Sequence, residues 1–287
     1  MATKKRIDMY QEVTDRMVAL LEQGVIPWRK GWRGLSSGAY NTVTKRPYSF
    51  MNQMLLKHDG QYASFKQWNA LGGKIRKGEH PEQVVFWKMI PVDDGVDEDG
   101  NPKKKLIPFL KPHSVFHISQ VEGVEPEKRE VIDHKPIEEA EAVIENYKAH
   151  NTIKIEDVLG NEAYYAPKRD YICVPLKEQF DDINEYYSTK FHEMIHSTGH
   201  HSRLNRFPEN SVIAAFGSED YSKEELVAEI GAAFLMGETG IETNDTFRNS
   251  AAYVQSWLKA LKNDKKLIVG AASKAEKAVE YILNGAA

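Results

Sequence analysis

Cysteine is almost absent: Cys173 is the single one in 287 residues. One thiol cannot form an internal disulfide, so the stapled frameworks of small secreted folds are excluded and a reducing cytoplasm is the expected location. Cys173 lies in the apolar run Tyr171-Ile172-Cys173-Val174-Pro175, which reads as a buried core thiol rather than a nucleophile. Long apolar runs are missing too. No stretch approaches the ~20 residues that a membrane span needs, so no membrane partner is expected. Met1-Ala2-Thr3-Lys4-Lys5-Arg6 is basic but has no apolar stretch behind it, so no secretory leader is expected.

What is present suits two domains of ordinary size: 41% hydrophobic residues and 28% charged ones. The net charge of −4 hides an asymmetry. Residues 1–90 hold 15 Lys+Arg against 7 Asp+Glu, whereas residues 91–287 hold 23 against 35. A basic front and an acidic back predict two modules with different partners, the front facing a polyanion.

The back half contains Phe191-His192-Glu193-Met194-Ile195-His196. On a helix, histidines four apart lie one above the other, so His192 and His196 can grip one metal ion. Glu193 can then reach a water at that ion as general base. The surroundings favour a helix over 181–198: Ile183, Tyr187, Phe191, Met194 and Ile195 form its apolar stripe, and Gly199 stops it. A catalytic zinc site wants a third protein ligand. A histidine six residues after His196 is excluded, because Ser202 stands there. His200 and His201 fall beyond Gly199, and His200 stays a candidate donor. A later helix supplies acids in Ser222-Lys223-Glu224-Glu225-Leu226-Val227-Ala228-Glu229. Ser222 and Glu225 have capping-box spacing, which gives Glu225 a local role at the helix start. Glu229 sits among small residues, where a carboxylate is costly unless paired or metal-bound. Glu229 is therefore the expected third ligand, with Glu225 the alternate. Zn2+ is the expected ion, Mn2+ or Co2+ remaining open. The reaction expected of such a site is peptide hydrolysis, with Tyr221 or His200 as candidate transition-state donors.

The front half interleaves aromatics and cations. Pro27-Trp28-Arg29-Lys30-Gly31-Trp32-Arg33-Gly34 is a loop by its glycines and proline; Lys45, Arg46 and Tyr48 repeat the mixture, and Lys74, Arg76 and Lys77 form a third cluster. Aromatics stack on unpaired bases and cations hold phosphates, so single-stranded DNA is the expected ligand, with duplex DNA also open. For Trp28 and Trp32, core packing competes evenly with base stacking.

Helices are expected over 7–23, 64–71, 137–150, 222–236, 246–261 and 273–283. Strands are expected over 84–90, 109–121, 153–155 and 171–174, with a solvated loop over 93–105. A strand at 171–174, delivered beside the metal helix, could hold an extended peptide by edge pairing. The fold class is α+β: a small α+β DNA-binding domain over 1–125, a linker over 126–136, and a mainly helical metallopeptidase domain over 137–287.

Two stretches resemble a known family. Val25-Ile26-Pro27-Trp28, Trp32, Tyr48-Ser49-Phe50-Met51-Asn52, Lys74-Ile75-Arg76-Lys77-Gly78-Glu79 and Val85-Phe86-Trp87 resemble the single-stranded-DNA-binding domain of ArdC antirestriction proteins, a domain that also begins TraC-type plasmid primases. His192 through His200, Arg203-Leu204 and Glu225 through Glu229 look like the zincin-like metallopeptidase domain paired with it. The resemblance implies a plasmid-borne protein that shields incoming DNA from host restriction during conjugation, in the recipient cytoplasm. It also implies a protein substrate such as a component of a restriction system.

Overall fold

The computed structural model describes residues 8–29, 38–96, 102–127, 136–207, 219–241 and 250–285. These fall into two compact units, one bounded by Met1–Val13 and Ala39–Glu127, the other by Thr14–Gly38 and Lys128–Ala287. By this division Thr14–Gly38 group with the second unit.

Helix α1 (Met9–Glu22) buries Met9, Val13, Met17 and Leu21, one per turn. In the first unit, strands β1 (Ala39–Asn41), β2 (Gly60–Ala63), β4 (Glu82–Val96) and β5 (Pro102–His117) form one sheet in the order β1-β2-β5-β4. A short pair, β3 (Lys74–Ile75) and β6 (Val121–Glu122), stands apart from it. Helix α2 (Phe50–Leu55) is buried along its whole length. Its polar residues do backbone work there. Asn52 accepts from Val85 N at 2.8 Å and donates to Val85 O at 2.9 Å, while Gln53 engages both backbone groups of Ala39. Buried amides of this kind complete the hydrogen bonding of strand segments that lack a neighbour. Helix α3 (Phe65–Ala70) starts on a capping box of Ser64 and Gln67, and Trp68 is buried beneath it with Nε1–H on Phe116 O.

The β4–β5 hairpin is longer than expected. The acidic stretch read as loop continues the strand, because Val92 pairs with Lys105 and Asp93 with Lys104. The Asp94–Lys105 ion pair at 2.6 Å closes the same ladder. Opposite charges across a strand pair stabilise it, so the alternation of acids and lysines that resembles a loop in one dimension matches across two strands. The returning strand ends at His117. Ile118 belongs to a 3-10 turn and still joins Ala63, Trp68, Phe116 and Val121 in one apolar cluster.

The second unit combines helices α4 (Pro136–Ala149), α5 (Ile183–Thr198), α6 (Glu219–Glu238), α7 (Ser250–Asn263) and α8 (Leu267–Asn284) with strands β7 (Lys154–Val158), β8 (Tyr164–Ala166) and β9 (Tyr171–Pro175). The strand order is β7-β9-β8. Strand β9 is therefore central, paired in parallel with β7 and antiparallel with β8. It has no edge to offer a peptide, which overturns the edge-pairing expectation for 171–174. Cys173 is buried there, as a core thiol. Helix α6 is apolar almost all round and buried from Leu226 to Met236, as befits a helix at the centre of its unit.

Candidate metal centre

Helix α5 is capped by Asp182, whose carboxylate accepts from Asn184 N at 2.9 Å. Its other end is held by two arginines. Arg203 donates to Ser197 O at 2.8 Å and pairs with Asp170, while Arg206 donates to Ile195 O and to Thr198 Oγ1, both at 2.8 Å. Guanidinium groups satisfy the orphan carbonyls of the last turn and complement the negative end of the helix dipole. Gly199 does follow the helix, but for a different reason from the expected one. Its φ of −74° is ordinary right-handed backbone. A Cβ there would stand 2.5 Å from the Phe207 ring, so the glycine makes room for a side chain.

Helix α6 lies against α5 by a similar device. A Cβ on Gly231 would approach Ile195 Cδ1 to 2.6 Å and Cγ1 to 2.8 Å. Ile195 is fully buried between the motif histidines in sequence. Gly231→Ala should therefore destabilise the chain. Overpacking costs about 1–3 kcal/mol, more than the ~1 kcal/mol that alanine gains over glycine in a helix. The melting temperature should fall by several degrees in thermal denaturation, with partial recovery in Gly231→Ala/Ile195→Val. A melting temperature at or above that of the wild type would contradict the close approach.

The close approach of α5 and α6 brings three donors together. His196 Nε2 is 3.1 Å from His192 Nε2, and the Glu225 carboxylate spans them at 3.3 Å from His196 Nε2 and 3.4 Å from His192 Nε2. Atoms about 2.0–2.2 Å from one tetrahedral cation stand about 3.3–3.5 Å apart, so this triangle has the dimensions of a ligand set. The other ring nitrogens face further carboxylates. His192 Nδ1 is 3.6 Å from Glu229 Oε1, and His196 Nδ1 is 3.5 Å from Glu224 Oε1. Glu224 is itself fixed by Arg206 at 2.7 Å. Glu224 on Nδ1 of His196 favours the tautomer that frees Nε2 for a metal, whereas His192 Nδ1 is buried without a hydrogen-bond partner, Glu229 standing just beyond reach of it.

The charges tell the same story. Burial alone would lower the imidazole pKa values, but Glu224 and Glu225 override it and push His196 up to about 10. His192 is also raised, Glu225 outweighing burial. Burial likewise opposes ionisation of Glu225, yet the two histidines hold it well below the usual carboxylate range. Glu193, Glu225 and Glu229 are buried and Arg206 answers Glu224. A divalent cation between the inner nitrogens would offset this excess of buried carboxylates.

The sequence-ranked residues thus part company. His192, His196 and Glu225 form the one such donor group among the described residues. Glu229, the residue expected as third ligand, lies on the outer nitrogen of His192 instead. The capping box that assigned Glu225 elsewhere does not exist, because α6 starts at Glu219 and Ser222 Oγ meets Ser256 Oγ at 3.1 Å. His200 lies outside the donor group, with Nδ1 on Ser202 Oγ at 2.7 Å. The Tyr221 side chain lies outside the described residues. Arg206 and Glu224 went unread in the sequence; the adjacency of Glu224 to Glu225 was the available signal.

The DNA-facing candidates scatter. Trp28 is fully buried, edge-on to Trp257 at 5.3 Å, within the second unit. Packing therefore wins over stacking at Trp28. Tyr48 is buried edge-on to Tyr62, which likewise removes it as a platform. Lys45, Arg46, Lys74, Arg76 and Lys77 are exposed on the first unit, Lys45 pairing with Glu127 and Arg76 with Glu79. The Arg29 side chain and all of Lys30, Trp32 and Arg33 lie outside the described residues.

Comparison with known proteins adds family information. Residues 7–116 match the model of the N-terminal domain of anti-restriction factor ArdC, and residues 138–274 match a zincin-like metallopeptidase model. Two Escherichia coli proteins named DNA primase TraC are 33% and 32% identical over 96% of this chain, which spans 27% and 20% of their lengths. An uncharacterized protein, y4eC of Sinorhizobium fredii (strain NBRC 101917 / NGR234), is 30% identical over 96% of this chain and 91% of its own. Among solved structures, the antirestriction protein ArdC from plasmid R388 is 34% identical. Its metal-free form covers 97% of this chain and 98% of its own at a TM-score of 0.76; its Mn(II)-bound form covers 98% and 99% at 0.75. The zincin-like domain and that Mn(II) form suggest a divalent metal for this donor set. In sequence over nearly its whole length and in the fold of both domains, the chain belongs to the ArdC antirestriction family.

Proposed function

We propose that the protein is a plasmid-type antirestriction factor that binds single-stranded DNA through its first unit and carries a metal-dependent peptidase centre in its second. The observation that carries the reading is the convergence of two Nε2 atoms and one carboxylate within 3.4 Å of one another. His192, His196 and Glu225 are the proposed ligands, Zn2+ the proposed ion, with Mn2+ or Co2+ serving the same donors. A divalent ion bound there supplies Lewis acidity and an acidified water. Glu193, buried beside His192, takes a proton from the attacking water and hands it to the leaving amine. Glu224 keeps the His196 imidazole oriented, and Glu229 comes within 3.6 Å of the outer nitrogen of His192, where a small shift on metal binding brings it into hydrogen-bond range.

Support for the DNA half comes from the family and from the exposed Arg46, Lys74 and Lys77 on the first unit. The proposed setting is conjugation, with the protein acting in the recipient cytoplasm on entering single-stranded DNA and on a protein of the restriction system. Two measurements on the purified full chain test the reading. Elemental analysis should find about one divalent cation per chain, lost in His192→Ala. Fluorescence anisotropy should show oligothymidylate binding that weakens steeply with salt. A metal-free wild type or a salt-independent interaction would sink the corresponding half.

A further inference from the structure

The β4–β5 hairpin carries a patterned face that the expected DNA residues do not include. In an antiparallel pair, residues directly opposite share a face. Phe86 lies opposite Lys111, and Lys88 opposite Phe109. Two aromatics and two cations thus alternate as a checkerboard, with Cβ atoms of direct partners about 4.5–5.5 Å apart. The checkerboard is bounded by apolar residues, Val84 being buried in the core. Val84 lies opposite His113 on the inner side, and Ile90 opposite Ile107 on the outer side. Phe86 is 46% exposed and Ile107 39%; Lys88, Lys111 and His113 are exposed. Phe86 leans on the rest of the unit through edge contact with His113 at 5.4 Å and a tilted contact with Tyr48 at 6.3 Å. Burial and the charge of Lys111 hold His113 below its usual pKa, so it presents a neutral ring.

The register places acids on this face only at its ends, Glu82 at the base and Asp94 near the tip, where it meets Lys105. The opposite face differs. Its pairs Trp87–Leu110, Met89–Pro108 and Pro91–Leu106 contain no charge, and Trp87 stands edge-on to Tyr10 at 5.8 Å. One hairpin therefore shows a cationic aromatic side and a side uncharged as far as the Asp93–Lys104 pair near its tip. A cationic side suits a polyanion, and flat rings between the cations suit unpaired bases, whose faces a duplex hides.

We propose that the face of Phe86, Lys88, Phe109 and Lys111 is where single-stranded DNA binds, bases stacking on the phenylalanines and phosphates meeting the lysines. This rests on the reading of the first unit as a single-strand binder. Wild-type affinity for a labelled oligothymidylate tests that reading by itself; no binding at any salt concentration would remove it and this assignment together. Given wild-type binding, Phe86→Leu/Phe109→Leu keeps apolar bulk but loses the ring faces, and should weaken affinity by at least about ten-fold. Lys88→Ala/Lys111→Ala should flatten the slope of log K against log salt by about 1.4. Met89→Ala/Leu106→Ala, on the uncharged face, should bind like wild type. The assignment is overturned if both checkerboard pairs bind as wild type does, or if the uncharged-face pair loses as much. It is also overturned if the lysine pair weakens binding while the leucine pair does not, since a ribbon lying in a duplex groove would behave that way.

Discussion

Glu225→Ala should strip the chain of its cation, whereas Glu229→Ala should keep the cation and bind it about 10–100-fold more weakly. The two glutamates lie one helical turn apart on α6, so substituting either changes the same helix by the same chemistry. Their positions relative to the imidazoles differ. Glu225 reaches the inner nitrogens of both histidines, at 3.4 Å and 3.3 Å, while Glu229 reaches the outer nitrogen of His192 at 3.6 Å. Removing the first takes away a donor and leaves two imidazoles, too few for the three protein ligands of a catalytic site. Removing the second leaves three donors and loosens the orientation of one ring. Glu224→Gln should fall with the weaker class, since Glu224 meets His196 Nδ1 at 3.5 Å and is steadied by Arg206. Titration calorimetry of the purified variants with Zn2+ and Mn2+ separates these outcomes. Metal lost in Glu229→Ala and retained in Glu225→Ala would reverse the geometric assignment and restore the order that the sequence favours.

That inversion shows what kind of information a sequence withholds. His192 and His196 are legible because their relation is internal to one helix: four residues apart means one face, whatever surrounds them. The third donor comes from another helix, and choosing it depends on where that helix starts. A capping-box spacing at Ser222 and Glu225 suggests a start that the chain does not use, since α6 begins at Glu219. Its first turn leads in from residues 208–218, which lie outside the described ones. Burial misleads in a related way. Small neighbours mark Glu229 as buried, correctly, but Glu225 is buried as well at 7% exposure. No local pattern reveals this, because a central helix has no polar face to read. The hairpin fails for the same reason in two dimensions. Asp93, Asp94, Lys104 and Lys105 look like loop residues until they are paired across strands. Trp28 is a plainer case. An indole beside arginine and lysine reads equally as a stacking platform or as core, and only Trp257, more than two hundred residues away in sequence, decides it.

Glu193→Gln separates catalysis from every other property of the centre. Glutamine preserves the size of the side chain and its place beside His192, but it cannot accept a proton at neutral pH. The glutamate is buried at 8% exposure, and its charge raises the proton affinity of both motif histidines. It therefore stands close to the donors without belonging to the triangle that they form. Metal content in Glu193→Gln should stay at about one per chain, and oligothymidylate affinity should be unchanged because the candidate DNA face lies in the other unit. Hydrolysis of an unstructured protein such as casein should drop by about 10²–10⁴-fold, the usual contribution of a positioned general base. Conjugation into a restricting host then decides what the chemistry is for. If transfer efficiency falls with hydrolysis in Glu193→Gln, protection requires bond cleavage. If hydrolysis is lost and transfer efficiency holds, the cation serves to clamp α5 against α6, and the first unit protects by occupying the DNA alone. Both results leave the ligand geometry intact, because the substitution touches neither imidazole nor Glu225.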